Sequence, residues 1–188
     1  MTQEFLRDSS MEEATKQFDM ELREYVELVN SIDDTEKLNE MEQELLKEQD
    51  DVNAYLKTTQ YQLPDGVDFD GEHYTVKDIA NKVIYFVNKK EVEWKYTLGL
   101  YQLVKFWKTN NPSIIDYGVY DSTLRMLNQI SFQGFSEWRD VLACNEYFKS
   151  AHESYSKDTS WLIFVSEKHN VILDRMSVLG SLQAEVEE

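Results

Sequence analysis

Residues 10–30 read SMEEATKQFDMELREYVELVN and carry the strongest helical pattern of the chain. Their apolar members recur every three or four positions, which is the spacing of one face of an α-helix. These members are Met11, Ala14, Phe18, Leu22, Tyr25, Val26 and Val29. Ser10 with Glu13 matches a capping box, in which each side chain satisfies a backbone N–H group at the helix start. The pattern predicts an amphipathic helix over residues 10–31.

A second amphipathic helix is predicted over residues 35–60, with Asp33 or Asp34 placed to cap its start. A heptad-like apolar stripe runs along it, interrupted by Glu48. The stripe consists of Leu38, Met41, Leu45, Val52 and Tyr55. Because the link at residues 30–34 is short, we expect the two helices to form an antiparallel hairpin.

The net charge of −17 lies almost entirely at one end of the chain. Residues 1–75 hold 21 Asp and Glu against 6 Lys and Arg, whereas residues 76–188 hold 15 against 13. This contrast predicts regions with different physical tasks. They are an acidic helical hairpin (1–62), a linker or short β-hairpin (63–75), an aromatic-rich helical body (76–184) and an acidic tail (185–188).

The clearest break is QLPDGVDFDGEHYT, residues 62–75. Its Pro64-Asp-Gly66 and Asp70-Gly71 are turn signals, and the residues around them predict a minor β-hairpin near 66–75. Beyond it, helices are expected at about 75–89, 121–131, 136–155 and 158–182, the last capped by Asp158 or Thr159. The pattern leaves open whether residues 76–108 form one helix or two. The fold class predicted is mainly all-α: a helical hairpin plus a compact helical body.

The cysteine count and the apolar runs indicate the cellular compartment in which we expect the protein. A single cysteine, Cys144, excludes an intramolecular disulfide and favours a reducing compartment. The N-terminus lacks the basic and apolar stretches of a secretion signal, and no apolar run is long enough to cross a membrane. We therefore expect a cytoplasmic protein without membrane contact.

The candidate metal-binding and catalytic motifs lack the required residues at the required spacing. Aligned on Gly71, an EF-hand loop would need a glutamate where Lys77 stands. His152-Glu153 opens like a zinc-protease motif, but Ser156 occupies the position of the second histidine. Cys144 and His152 are about 12 Å apart along a predicted helix, too far for a nucleophile and its base. We expect no catalytic, cofactor-binding or metal-binding residues, and Cys144 to be a core residue.

Direct nucleic-acid binding is not expected. The segment Tyr74-Thr-Val-Lys-Asp-Ile-Ala80 is similar to the opening of a helix-turn-helix in bacterial repressors. Such motifs continue into a glycine-containing turn, whereas this chain continues Asn-Lys-Val-Ile-Tyr-Phe-Val. The acidic first region also opposes phosphate contact. A local basic cluster remains, formed by Lys77, Lys82, Lys89, Lys90 and Lys95.

The leading hypothesis is a non-catalytic interaction protein: an adaptor, assembly factor or structural accessory that presents an acidic helical surface to a basic protein partner. Its candidate partner-binding residues are Glu40, Glu44, Glu48, Trp94, Tyr101 and Trp107. Aromatic residues mark a partner surface only where they are exposed, so the burial of Trp94, Trp107, Trp138 and Trp161 is informative.

Three alternatives remain. The carboxylates could mimic phosphates in an inhibitor of nucleic-acid-binding proteins, as a phage or mobile element would encode. An enzyme site could form at the turn between the last two helices. Its residues would be His152, Tyr155, Asp158, Glu167 and His169. The narrow stripes of the hairpin could also pack against a second copy.

Overall fold

The computed structural model describes residues 3–88, 105, 114–133 and 138–186, and within them the chain is mostly helical, as the sequence predicts. In chain order the elements are α1 (Gln3–Asp8), α2 (Met11–Asn30), α3 (Thr35–Thr58), β1 (Gln60–Gln62), β2 (Gly66–Phe69), β3 (Glu72–Thr75), α4 (Val76–Asn88), β4 (Ile114–Asp116), α5 (Tyr117–Gln133), α6 (Trp138–Phe148), a 3-10 turn (Lys149–Ala151) and α7 (His152–Val186). The chain forms two compact units. We call Met1–Tyr55 with Ser156–Glu188 the helical unit, and Leu56–Tyr155 the mixed unit.

The first two long helices begin at the predicted caps. Ser10 Oγ accepts a hydrogen bond from Glu13 N at 3.2 Å, and Glu13 Oε2 accepts one from Ser10 N at 2.8 Å. This capping box satisfies two backbone donors at the start of α2. Asp34 Oδ1 accepts a hydrogen bond from Glu36 N at 2.9 Å and caps α3 in the same way.

In the helical unit, α2 and α7 run parallel to each other. The ring of Phe18 packs against that of Phe164 with centroids 4.9 Å apart. Further along both helices, Lys168 Nζ lies 5.0 Å from the centroid of the Tyr25 ring. Residue numbers therefore rise together along the two helices.

Helix α3 runs in the opposite direction, which makes α2 and α3 the antiparallel hairpin that the sequence predicts. Tyr55 packs on Trp161 with ring centroids 5.6 Å apart, and Glu42 contacts His169 eight residues further along α7. The three helices enclose one apolar core. Its buried members include Ala14, Phe18, Val29, Leu38, Leu45, Val52, Phe164, Val165 and Ile172.

The predicted β-hairpin is present in the mixed unit as β2 and β3, paired antiparallel with Val67 opposite Tyr74. Its two-residue turn is Asp70-Gly71, with φ values of 51° and 79°. Positive φ at both central positions defines the turn type that matches the twist of a hairpin, and Asp-Gly is a preferred sequence for it. This local chemistry explains why the hairpin could be predicted.

A second pair of strands was not predicted from the sequence. Strand β1 pairs antiparallel with β4, so that Tyr61 lies opposite Ile115. The helix α5 starts directly after β4, where Asp116 Oδ1 accepts a hydrogen bond from Val119 N at 2.8 Å. Around these elements the mixed unit has its own core. Fully buried members include Ile79, Val83, Ile115, Tyr120, Met126, Leu127, Cys144, Tyr147 and Phe148.

The prediction of a turn near Asp158 is wrong, because α7 is continuous from His152 to Val186. Residues 149–160 contain neither glycine nor proline, so nothing in the backbone ends the helix there. Asp158 lies within α7, is buried, and accepts a hydrogen bond from Tyr55 Oη at 3.2 Å. Of the described helices, none is both long enough and apolar enough to span a lipid bilayer.

The two compact units divide the chain at 55/56 and again at 155/156, because α7 from Ser156 onward packs with the acidic hairpin. The question of one helix or two over residues 76–108 falls mostly outside the described residues, of which α4 covers 76–88.

Candidate functional site

The helical unit carries most of the charge of the protein, with 23 Asp and Glu against 8 Lys and Arg. Several of its few cations are engaged within the unit. Lys157 Nζ donates to Ser9 O at 2.8 Å, and Arg175 bonds both Ile32 O and Asp33. The unit therefore holds far more carboxylates than it can neutralise itself.

Six of the seven carboxylates of α3 fall into an inner and an outer set, and the seventh, Asp50, is exposed and belongs to neither. The inner set faces α7, where Glu48 Oε2 lies 2.9 Å from Lys168 Nζ and Glu42 Oε1 lies 3.0 Å from His169 Nε2. Both contacts are partly shielded from water, since the four side chains are between 16% and 33% exposed. These two carboxylates bind α3 to α7.

Lys168 of α7 pairs with Glu48 of the inner set and also contacts aromatic rings. Its ammonium group lies within 5.3 Å of the ring centroids of Tyr25 and Phe164 while it pairs with Glu48. A cation above aromatic faces is stabilised by their quadrupoles. Burial, followed by the charges of Glu48 and Glu44, raises the pKa of Tyr25 to about 12, so this phenol is neutral at physiological pH.

The outer set is a row on the solvent-facing side of α3, which we call the α3 row: Glu36, Glu40, Glu44 and Asp51. All four are exposed, and none forms an ion pair with another of the described residues. At 3.6 residues per turn they lie within an arc of about 80° and span about 22 Å. Lys47 shares this arc, which leaves the α3 row and Lys47 with a net charge of −3.

The charge density of the α3 row can be compared with that of duplex DNA, which bears on the phosphate-mimic hypothesis. Duplex DNA carries one charge per about 1.7 Å, or about 13 charges over the length of the row. Four carboxylates over that length are about a threefold lower density. The row by itself therefore matches the charge density of duplex DNA poorly.

The predicted partner-binding residues do not all lie on one described surface. Glu40 and Glu44 belong to the α3 row, whereas Glu48 forms an ion pair with Lys168. Trp94, Tyr101 and Trp107 lie outside the described residues.

Two tryptophans that bear on the same hypothesis are described. Trp138, at the start of α6, is 48% exposed, and Trp161 is buried against Tyr55. Trp161 is therefore part of the core. Trp138 is an exposed aromatic side chain that sequence reasoning did not single out from the other three.

The residues expected to converge in an enzyme site do not do so. They lie along one helix, and about 26 Å of helix axis separates His152 from His169. Tyr155 Oη donates to Asp121, and His169 contacts Glu42. The expected turn between the helices is absent, so nothing folds these side chains together.

A groove of about 310 Å³ is found in the mixed unit, beside the 3-10 turn. Its lining residues are Phe69, Tyr120, Leu124, Asn128, Leu142, Asn145, Glu146, Lys149 and His152. Its volume is at the lower end of the range for ligand sites. Glu146 is paired with Lys149, at 3.3 Å. Cys144 is not among the lining residues: it is fully buried, as predicted, and burial raises the pKa of its thiol to about 12.

The carboxylates near the β-hairpin turn each contact a side chain of Arg139 or His73. Arg139 lies 2.9 Å from Asp70 and 3.1 Å from Glu72, and His73 Nδ1 lies 2.7 Å from Asp68. The two Arg139 contacts join the hairpin to the start of α6, whereas the His73 contact lies within the hairpin. Among the residues that the structure describes, no group of three or more His, Cys, Asp or Glu side chains is arranged to hold a metal ion.

Comparisons with known proteins identify no relative. No protein-family model matches the chain, and neither a curated protein nor a solved structure resembles it significantly.

Proposed function

We propose that this chain is a non-catalytic interaction protein, an adaptor, assembly factor or structural accessory, which presents the α3 row to a basic protein partner. The observation that carries the proposal is the separation of the α3 carboxylates into two sets. The inner set is used by α7, while the outer set has no ion-pair partner among the described residues.

The α3 row has an energetic cost that its fold does not require. Glu36, Glu40 and Glu44 follow one another at intervals of four residues, so their like charges are neighbours on the helix surface. Each such pair destabilises a helix by about 0.2–0.5 kcal/mol. A row that costs stability and forms no ion pair with the described residues is reasonable when a partner supplies the opposite charge.

The basic partner would be drawn to this surface over a long range. At about 0.1 M salt the Debye length is about 10 Å, so clustered charges act together on an approaching protein. At about 1 M salt the Debye length is about 3 Å and the attraction is largely screened. Capture of the partner should therefore depend strongly on salt.

The experiment is affinity capture with a tagged chain from the cells that express it, at both salt concentrations. The test variant neutralises the row through Glu36→Gln, Glu40→Gln, Glu44→Gln and Asp51→Asn. The control variant removes four charges from the mixed unit through Asp65→Asn, Asp68→Asn, Glu146→Gln and Glu153→Gln.

We expect a stoichiometric basic protein at low salt with the wild type and the control, and its loss with the test variant or at high salt. Absence of a stoichiometric partner, or equal capture by both variants, would overturn the proposal. Capture of a protein that is displaced by duplex DNA would instead favour nucleic-acid mimicry.

A further inference from the structure

The groove of about 310 Å³ beside the 3-10 turn lies between α5 and α6 of the mixed unit. The two helices are neighbours, since Tyr120 near the start of α5 donates a hydrogen bond to Phe148 O at the end of α6, at 2.6 Å. The axes of packed helices lie about 8–10 Å apart, so the space above their line of contact is a narrow slot. Such a slot admits a flat molecule more readily than a bulky one.

The inner part of the slot is apolar. Tyr120 is fully buried, and Phe69, Leu124 and Leu142 are half-buried. The hydroxyl group of Tyr120 is already bonded to Phe148 O, so this residue offers its ring to a ligand. Two aromatic rings and two leucines form a floor suited to an uncharged ring, because burial of apolar surface is a main source of affinity in ligand sites.

The walls of the slot carry two side-chain amides, that of Asn128 on α5 and that of Asn145 on α6. Asn128 follows Leu124 by four residues and Asn145 follows Leu142 by three, so each amide shares a helix face with an apolar side chain of the floor. Neither amide forms a hydrogen bond with another described residue. Each therefore keeps a carbonyl acceptor and an amino donor for a ligand.

The charged side chains of the slot favour an uncharged ligand of small size. Glu146 and Lys149 form an ion pair at 3.3 Å, so these two side chains add no net charge. An ionic ligand would have to compete for one member of this pair, whereas an uncharged ligand leaves it intact. The volume of the slot equals that of about ten water molecules at about 30 Å³ each, which is room for about ten non-hydrogen atoms.

We propose that this slot binds a small, flat, uncharged heteroaromatic compound that carries a hydrogen-bond donor beside an acceptor, which is the chemistry of a purine base. The ring lies on the apolar floor, and Asn128 or Asn145 pairs with the polar edge. Asparagine binds the amino group and the neighbouring ring nitrogen of adenine in this way, through two hydrogen bonds. The inference goes beyond the proposed function and does not depend on it, since the slot lies in the mixed unit and the α3 row in the helical unit.

The test uses the full-length protein and two purines. The probe is adenine, and the control compound is 6-dimethylaminopurine, which keeps the ring system but lacks the amino donor. Binding to isotope-labelled protein is followed by NMR, because the side-chain amino groups of Asn128 and Asn145 give signals that report directly on the slot. Circular dichroism confirms that each variant is folded.

Alanine variants of the same residue type form a matched set. The double variant Asn128→Ala with Asn145→Ala removes both amides without filling the slot, while Asn170→Ala makes the same change at an exposed position of α7 in the helical unit. Since neither slot amide bonds another described residue, the double variant should fold. Asn128→Ala alone, at an exposed position, is the second variant in case the double variant does not.

We expect adenine to bind with a dissociation constant of about 0.1–1 mM and to shift the amino signals of Asn128 or Asn145 in a saturable manner. The double variant should bind adenine at least about fivefold more weakly, and the wild type should show the same loss with 6-dimethylaminopurine. Asn170→Ala should change the affinity less than about twofold.

The inference is wrong if adenine gives no saturable shift of these two signals, if both purines bind equally, or if the double variant binds adenine as the wild type does. Neutralising the α3 row should leave adenine binding unchanged. The failure of one proposal is therefore distinguishable from the failure of the other.

Discussion

The two carboxylates Glu48 and Glu44 lie about one turn apart on α3, and we predict that the same chemical change has opposite effects at the two positions. Glu48→Gln removes the partner of Lys168, whose side chain is 16% exposed. Exposed pairs contribute about 0.2–1 kcal/mol, and breaking a fully buried pair costs about 3–5 kcal/mol. For a pair of intermediate burial, we expect the free energy of unfolding to fall by about 1–2 kcal/mol.

Glu44→Gln should be neutral or slightly stabilising. Glu44 has like-charged neighbours four residues away on each side, Glu40 and Glu48. Its removal relieves repulsions of about 0.2–0.5 kcal/mol each. The side chain has no ion-pair partner among the described residues, so the only attraction lost is the weak one to Lys47, three residues further along the helix.

Urea denaturation followed by circular dichroism measures both effects. With a slope of about 2 kcal/mol/M, Glu48→Gln should lower the midpoint by about 0.5–1 M, and Glu44→Gln should raise it slightly. Lys168→Met, alone and with Glu48→Gln, completes a double-mutant cycle with a coupling energy of about 1 kcal/mol or more. Equal midpoint shifts for the two glutamine variants, or a coupling energy near zero, would refute the division into inner and outer carboxylates.

Three further predictions concern the two units separately. Ser10→Ala removes the capping box of α2 and should lower the free energy of unfolding by about 1 kcal/mol in urea denaturation. Gly66→Ala places a Cβ 2.7 Å from Tyr74 O, so the strand must shift; thermal denaturation should show a fall of about 1–3 kcal/mol, whereas a neutral result would contradict the register of β2 and β3. Cys144 has a thiol pKa of about 12 and should react with a thiol reagent at pH 8 only after unfolding; rapid reaction of the native protein would contradict its burial.

Features fixed by neighbouring residues could be predicted from the sequence. The capping box at Ser10 and Glu13 and the Asp70-Gly71 turn each depend on residues at most three positions apart, and both are present. The apolar stripes likewise placed Phe18, Leu38 and Leu45 in the core. Local chemistry is sufficient for such elements.

Features that depend on distant residues could not be predicted. The pairing of β1 with β4 joins Tyr61 to Ile115 across more than 50 residues, and neither strand has a strong pattern of its own. In the sequence, Asp158 resembles a helix cap. In the structure, it accepts a hydrogen bond from Tyr55, which is 103 residues away in the chain.

The same limit applies to the candidate surface. Glu44 and Glu48 have the same residue type and sit on the same helix, and only the position of Lys168 on α7 separates them. The net charge of the hairpin was visible in the sequence. The separation into carboxylates that hold α7 and carboxylates that face outward required the packing of three helices.

The most direct test of the account is the salt dependence of the dissociation constant between the purified chain and its captured partner, compared with the variant in which the α3 row is neutralised. We predict that wild-type affinity falls steeply between about 0.1 M and 1 M salt. Neutralising Glu36, Glu40, Glu44 and Asp51 should weaken binding at low salt and remove most of this dependence. An unchanged affinity and an unchanged salt dependence in that variant would contradict the account.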